Sequence, residues 1–153
     1  MVLLYKIELL GVRAMEMKRF ASKIIVRCDK DDEIVQTITK VCRENNVKLA
    51  AITGIGAVNE VTIGLFNPTT REYHSMQFKK DMEIAGLVGN VSRMNDEVYI
   101  HVHITLTDSS YNAIGGHLSY AKVSCTAELI IDVIEGEVNR SYNDEVGLNL
   151  LQF

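Results

Sequence analysis

Three of the four histidines stand close together in the second half of the sequence. His101 and His103 alternate with apolar residues in Tyr99-Ile-His-Val-His-Ile-Thr-Leu-Thr107, a pattern that predicts a β-strand. Side chains two residues apart on a strand project from the same face, so both imidazoles point the same way. At this spacing two imidazoles can converge on one ion at the roughly 2.0–2.1 Å that zinc–nitrogen bonds require. The alternative is a pair of solvated polar side chains, because such spacing also arises by chance.

A third histidine follows this strand after a short connection. Residues 108–114 are predicted to form a loop, and His117 comes directly after Gly115 and Gly116. We expect these glycines to let the backbone bend back and bring the third imidazole towards the first two. Three histidines without a fourth protein ligand are typical of a metal site that keeps one position open for water or substrate. His74 stands alone on a predicted hairpin strand, and we interpret it as an ordinary surface residue.

An enzyme built on such a site would also need a general base. Glu83, Asp108 and Glu128 are candidates by residue type only, and each also fits an ordinary surface or structural carboxylate. The sequence therefore leaves open whether the protein is an enzyme and which ligand it takes. It also leaves open whether a bound metal serves catalysis or only holds a loop in place.

Only one segment has a clear helical pattern. Residues 34–42 repeat apolar side chains at one-face helical spacing, and the acidic residues 31–33 precede them. Asn45 and Asn46 can supply a left-handed exit from the helix. The sequence thus predicts one amphipathic helix that lies on a sheet.

A glycine motif, Gly54-Ile-Gly56, ends the next predicted strand, which runs from Val47 to Ile52. Glycines after a strand can cradle a phosphate, but Asn59 stands where a third glycine belongs. Residues 61–66 also predict a strand, so no helix N-terminus would face the phosphate. We therefore expect a tight connection that needs a positive φ angle.

The rest of the sequence is rich in strand patterns separated by short turns. Residues 72–78 and 83–91 are predicted as separate strands, and residues 123–134 predict the longest strand, whose buried face includes Cys125. About seven strands and one principal helix, joined by turns too short for helical crossovers, predict an α+β fold with a mainly antiparallel sheet. Such a sheet has little helical cover, and we expect copies of the chain to bury its exposed face or edge as an oligomer.

The composition fits a single globular domain of ordinary size. Apolar residues make up 47% and charged residues 24%, and 16 basic against 20 acidic side chains give a net charge of −4. A net acidic chain argues against nucleic-acid binding, because phosphate neutralisation supplies most of that affinity. The three cysteines are widely spaced without a CxxC pair, and no apolar stretch reaches the roughly 18 residues that a membrane span needs. We therefore expect a cytoplasmic protein with no membrane partner.

Several motifs, in this order, resemble the PPC domain, the plants-and-prokaryotes conserved domain, in the form that stands alone in prokaryotes. They are Gly54-Ile-Gly-Ala57, Glu83-Ile84 with Gly86 to Asn90, His101-Val-His103, Gly115-Gly-His-Leu118 and Ala127-Glu128. The resemblance divides the chain into an N-terminal arm, residues 1–22, and a single PPC-like domain, residues 23–153.

The resemblance implies an α+β fold with a mainly antiparallel sheet, a homotrimer, and a divalent metal held by histidines. Carried over to this sequence, the metal ligands are His101, His103 and His117. Zinc is the metal we expect, although imidazole also suits nickel, copper and iron. The family is also described as DNA-binding, but that description depends on the AT-hooks of plant members, and no such segment occurs in this sequence. The sequence thus predicts a metal-binding homotrimer whose site is open to solvent or a small molecule, and DNA binding is the alternative.

Overall fold

The computed structural model describes residues 15–153, which form eight β-strands and one α-helix. This is the α+β architecture that the sequence predicts, with one strand more than the approximate count. No helix in the described range is long and apolar enough to cross a membrane. In chain order the elements are β1 (Glu16–Phe20), β2 (Lys23–Asp29), α1 (Ile34–Glu44), β3 (Ala50–Asn67), β4 (Glu72–Met94), β5 (Glu97–Thr107), β6 (Ala113–Val133), β7 (Asn139–Asn143) and β8 (Leu148–Gln152).

The expected N-terminal arm, residues 1–22, lies in part outside the described residues, which begin at residue 15. Its last part forms β1, which pairs antiparallel with β2 from Glu16 opposite Arg27 to Phe20 opposite Lys23. These residues therefore add an edge strand to the sheet.

Helix α1 begins where the acidic residues end. Glu33 is its N-cap, and the Glu33 carboxylate accepts hydrogen bonds from the backbone N–H groups of Val35 (3.0 Å) and Gln36 (2.7 Å). The same carboxylate accepts the N–H of Ala121 in β6 at 2.9 Å. One side chain thus satisfies free amides at the helix start and ties the helix to the sheet. The buried face of α1 consists of Ile34, Thr37, Ile38, Val41 and Cys42.

The described strands form one sheet. The hydrogen-bonded order is β1-β2-β6-β3-β4-β7-β8, and β5 pairs with both β4 and β6. Strands β3, β4, β5 and β6 therefore pair in a closed circuit. Among the named strands every pairing is antiparallel except the contact of Arg93 in β4 with Asn139 in β7, which makes the sheet mixed. One face of the circuit packs with α1 into the core, which includes Ile24, Val26, Ile52, Leu87, Ile104, Leu129 and Ile131.

The tight connection predicted at the glycine motif is wrong, because residues 50–67 form one continuous strand, β3. Register shifts against β4 and β6 occur next to Gly54 and Gly56, so the strand bends at irregularities and does not turn. The expected positive φ is present at Gly56, at 149°. A Cβ on Gly56 would lie 2.5 Å from the carbonyl oxygen of Thr126, so glycine at this position permits the close approach of β6.

Strands β4 and β6 also differ from the sequence prediction. Residues 72–78 and 83–91, predicted as separate strands, belong to β4 alone. Cys125 of β6 is exposed, although strict alternation predicts that it is buried. The register explains the difference, because the four-residue step from Val123 to Ala127 on β6 matches a two-residue step on β3. This irregularity interrupts the alternation and turns the Cys125 side chain out of the core.

Candidate metal centre

The register of β5 and β6 places the three histidines. His101 and His103 lie two residues apart on β5, and His117 of β6 is the direct antiparallel partner of His103. Alternate residues of one strand, and directly opposite residues of neighbouring strands, project from the same face of a sheet. The register alone therefore gathers all three imidazoles on one face.

The glycines before His117 have a different role from the predicted hinge. Gly115 and Gly116 lie within β6, and neither has a positive φ angle. A Cβ at Gly115 would lie 2.7 Å from the carbonyl oxygen of Ile104, and one at Gly116 would lie 2.8 Å from that of Gly64. The two glycines thus allow β5 and β3 to approach β6 closely from either side, and the hinge prediction is wrong.

The ring nitrogens of the three histidines lie at distances that suit a shared ion. Their candidate ligand atoms all lie within 4.8 Å of one another, and the Nε2 atoms of His101 and His103 are 3.3 Å apart. Two nitrogens bound tetrahedrally to one zinc ion are separated by roughly 3.3–3.4 Å, given bond lengths of ~2.0–2.1 Å. The ring centroids of the three pairs are 5.2, 5.3 and 5.5 Å apart. The His101–His103 pair therefore has the spacing of two nitrogens on one zinc ion, and the His117 ring lies beside both.

The surroundings shift two of these imidazoles towards the neutral form. Burial lowers the pKa of His101 below its usual 6.5, and the charges of Arg140, His117 and His103 lower it further. Burial and the neighbouring His103 likewise lower the pKa of His117. A neutral imidazole has the free lone pair that a metal ion needs. Competition from protons for these two imidazoles is therefore reduced.

Tyr73 of β4 packs against the cluster. Its ring meets the His117 ring edge-on, with centroids 5.8 Å apart and planes at 84°. Gly64 of β3, the Cα partner of His117, leaves the space that the Tyr73 ring occupies. Burial raises the pKa of Tyr73, with a smaller contribution from Tyr99, so the phenol keeps its proton. Tyr73 therefore offers a neutral hydroxyl and an aromatic wall beside His117.

Arg140 of β7 lies on the other side of the cluster. Its guanidinium carbon is 4.8 Å from the centre of the Tyr99 ring, and Tyr99 precedes His101 by two residues on β5. The guanidinium donates to Ser92 Oγ at 2.8 Å and to Asn90 Oδ1 at 3.0 Å. Sequence patterns did not single out Arg140, because it lies in a polar tail with no motif around it.

The other residues weighed in the sequence lie apart from the cluster. Among the described residues, the group of possible metal ligands contains His101, His103 and His117 and no carboxylate. Asp108 forms an ion pair with Lys80 at 3.0 Å, and this hydrogen bond is the main cause of its lowered pKa. Two further candidates for a general base, Glu83 and Glu128, are exposed on β4 and β6, and His74 is exposed on β4.

The residues present fit a divalent metal of the catalytic type. His103 is exposed and the other two imidazoles are half-buried, so the cluster opens to solvent. Catalytic zinc sites use three protein ligands, three histidines among them, and keep the fourth position for water or substrate. A divalent metal in such a site supplies a Lewis acid that lowers the pKa of bound water.

The comparison with protein families gives one match. The model of the Plants and Prokaryotes Conserved (PCC) domain matches residues 15–135, which is more than half of the chain. A comparison with curated proteins found no match.

Solved structures from bacteria and archaea are similar over most of their length. A "putative DNA binding protein" from Bacteroides thetaiotaomicron is 37% identical, with a TM-score of 0.89, over 91% of this chain and 97% of that one. A metal-containing protein from Archaeoglobus fulgidus is 26% identical, with a TM-score of 0.80, over 88% and 96% of the two chains. A plant- and prokaryote-conserved (PPC) protein from Pyrococcus horikoshii is 25% identical, with a TM-score of 0.79, over 95% and 98%. The resemblance seen in the sequence is thus confirmed, and the chain belongs to the Plants and Prokaryotes Conserved (PCC) domain family.

Proposed function

We propose that this protein binds one divalent metal ion per chain through His101, His103 and His117, and that the bound ion keeps a position open for a small ligand. The single observation that carries the proposal is the 3.3 Å separation of the His101 and His103 Nε2 atoms, with His117 directly opposite His103. This separation equals the spacing that two nitrogens adopt on one tetrahedral ion, roughly 3.3–3.4 Å.

Zinc is the metal that we propose. Neutral imidazoles bind zinc, copper, nickel and iron, and an all-nitrogen set of three histidines is a common zinc site. The metal-containing neighbour from Archaeoglobus fulgidus supports a metal in this fold. No carboxylate joins the cluster within residues 15–153, so the proposal includes binding and no catalytic step.

Assembly into a homotrimer is part of the proposal. An apolar patch on the outer face of the sheet supports this assembly, and we call it the outer patch. It consists of Ile25, Ile55, Val88 and Ile130, whose side chains are exposed by 37%, 58%, 58% and 42%. The outer patch shares its face with the metal ligands, because Val88 and His103 are direct partners on β4 and β5. Exposed apolar surface of this kind is typical of an interaction site.

DNA binding is the second candidate, because the Bacteroides neighbour carries that description. The charges of this chain favour it less. Lys23, Lys79 and Lys80 each form an ion pair with a carboxylate, and the whole chain has a net charge of −4. We therefore expect no detectable binding to duplex DNA at moderate salt. Steeply salt-dependent binding in a fluorescence-anisotropy titration would favour the second candidate.

Elemental analysis and Zn²⁺ titration of the metal-free protein test the proposed metal site. We expect one bound ion per chain. His101→Ala, His103→Ala and His117→Ala each remove a ligand and weaken Zn²⁺ binding by at least about 100-fold. His74→Ala is the matched control, because it removes an exposed imidazole of β4 outside the cluster.

Two results would contradict the proposal. One is a wild-type protein that is purified without metal and takes up no Zn²⁺. The other is a set of cluster variants that bind Zn²⁺ as tightly as His74→Ala does.

A further inference from the structure

We infer that Arg140 is the anion-binding part of this site, so that the ligand taken at the open metal position carries a carboxylate or another oxyanion group. The inference rests on the proposed metal site and adds the chemical class of its ligand. Arg140 lies beyond residues 15–135, the range that the family model covers.

The Arg140 guanidinium is held in place by three hydrogen bonds. Its Nε donates to Ser92 Oγ at 2.8 Å, its Nη1 to the carbonyl oxygen of Asn149 at 2.8 Å, and its Nη2 to Asn90 Oδ1 at 3.0 Å. The guanidinium carbon lies over the ring of Tyr99, 4.8 Å from its centre. These contacts from three strands fix its orientation before any ligand arrives.

The residues around the Arg140 guanidinium do not neutralise its positive charge. All three acceptors are neutral, and within residues 15–153 no carboxylate forms an ion pair with Arg140. A guanidinium has five N–H donors, so two remain free once three are used. Partly buried cations without a counter-charge are costly, and a bound anion would remove that cost.

The register places this charge beside the metal ligands. Asn90, which accepts from Nη2, is the direct partner of His101 on β4 and β5. Tyr99, under the guanidinium, lies two residues from His101 and on the same face. Directly opposite residues have Cβ atoms about 4.5–5.5 Å apart. Arg140 is therefore hydrogen-bonded to the cross-strand neighbour of the metal ligand His101.

A fixed cation at this distance selects the charge of the ligand. A divalent ion and a guanidinium together attract an oxyanion and repel a second cation. Carboxylate and phosphate match the fork of the guanidinium, and their oxygens are also ligands for a metal ion. The two positive groups therefore favour a small molecule with an oxyanion next to its metal-binding atom.

A ligand titration of the Co²⁺-loaded full-length protein tests the inference. The visible absorption of Co²⁺ changes when a ligand joins the metal, and the probes are acetate, inorganic phosphate and acetamide, a neutral analogue of acetate. We expect wild-type protein to bind acetate or phosphate, and the tighter of the two identifies the oxyanion. Arg140→Gln should weaken this binding about 10- to 100-fold, the range for a hydrogen bond to a charged group, and should leave acetamide binding unchanged.

Two further variants separate anion binding from a structural role. Arg140→Lys keeps the charge and should restore a part of the anion affinity that Arg140→Gln loses. Arg93→Gln is the matched control, because it removes a guanidinium where β4 meets β7. Arg93 follows Ser92 on β4, so its side chain projects from the face of the sheet opposite to Ser92 and the histidines. Co²⁺ content and thermal unfolding are measured for each variant.

The outcomes distinguish the inference from the metal site on which it rests. A wild-type protein that takes up no Co²⁺ overturns both. A Co²⁺-loaded Arg140→Gln protein that binds acetate and phosphate as tightly as wild type overturns the anion role alone. An equal loss of acetate and acetamide binding, without rescue by Arg140→Lys, also overturns it, since a purely structural defect does not discriminate charge.

Discussion

The ring of Tyr73 occupies the space into which a side chain at residue 64 would project. A Cβ at Gly64 would overlap the Cε1, Cζ and hydroxyl atoms of the Tyr73 ring. Gly64 is also the direct partner of His117, whose ring Tyr73 contacts edge-on. The glycine therefore makes room for an aromatic support beside a proposed metal ligand. Groups that orient the ligands of a metal contribute to its affinity although they do not touch it.

The variant Gly64→Ala should weaken Zn²⁺ binding about tenfold, since it displaces Tyr73 from His117. Tyr73 is 43% exposed and can rotate outwards, so we expect the fold to persist. Zn²⁺ titration and thermal unfolding measure the two effects. Gly86→Ala is the control, because a Cβ at Gly86 would have no neighbour within 4 Å. Unchanged Zn²⁺ affinity in a folded Gly64→Ala protein would contradict the supporting role of Tyr73.

Local periodicity predicted the elements that carry the site. The alternation around His101 and His103 indicates a strand, and the apolar spacing of residues 34–42 indicates the helix, because both signals depend only on neighbours along the chain. The position of His117 opposite His103 depends on the register of two strands, which the sequence does not display. The glycines before His117 were accordingly interpreted as a hinge, although they permit close packing between strands.

Long-range contacts explain what the sequence could not predict. Arg140 belongs to the site only because β7 pairs with β4, where Asn139 lies opposite Arg93, 46 residues earlier in the chain. The exposed Cys125 depends on an irregular register between β6 and β3, which strict alternation does not reveal. The place of Arg140 in the site and the exposure of Cys125 therefore depend on strand pairing between distant parts of the chain.

Glu33 should contribute more to stability than an ordinary surface carboxylate. Its carboxylate accepts from two amides at the start of α1 and from the N–H of Ala121, a fully buried residue. Glu33→Ala should lower the free energy of unfolding by about 1–3 kcal/mol, since it removes a cap and leaves a buried donor unsatisfied. Urea unfolding measures this loss. Glu44→Ala, at the exposed end of the same helix, is the control, and an equal loss in both variants would contradict the dual role of Glu33.

A charge in the outer patch should disrupt the proposed homotrimer. Val88 is 58% exposed at the β4 end of the outer patch, so Val88→Lys would place a lysine in an interface between copies. We expect light scattering to give a trimer for wild-type protein and a smaller species for Val88→Lys. Ile134→Lys is the control, because Ile134 is 49% exposed but lies beyond the end of β6. A trimer that persists in Val88→Lys would exclude the outer patch as the interface.

The lowered pKa values of His101 and His117 predict how the stability of the metal-free protein depends on pH. Both groups have a usual value of 6.5, and burial is the main cause of the lowering in each. Between the lowered native values and 6.5, the unfolded chain binds more protons at these residues than the native chain does. The free energy of unfolding therefore rises with pH through this window, and the loss on acidification is complete below the native values.

The double variant His101→Asn/His117→Asn removes both groups and should reduce this pH dependence. Urea unfolding of the metal-free proteins between about pH 5 and 7.5 measures it, and the quantity compared is the change in unfolding free energy across the window. His74→Asn is the control for this comparison, since it removes an exposed histidine that lies outside the cluster. If the double variant loses as much stability on acidification as wild type, the two histidines are not held neutral by the fold. In that case the cluster would have to release protons before it binds a metal, and metal affinity would fall steeply below pH 6.5.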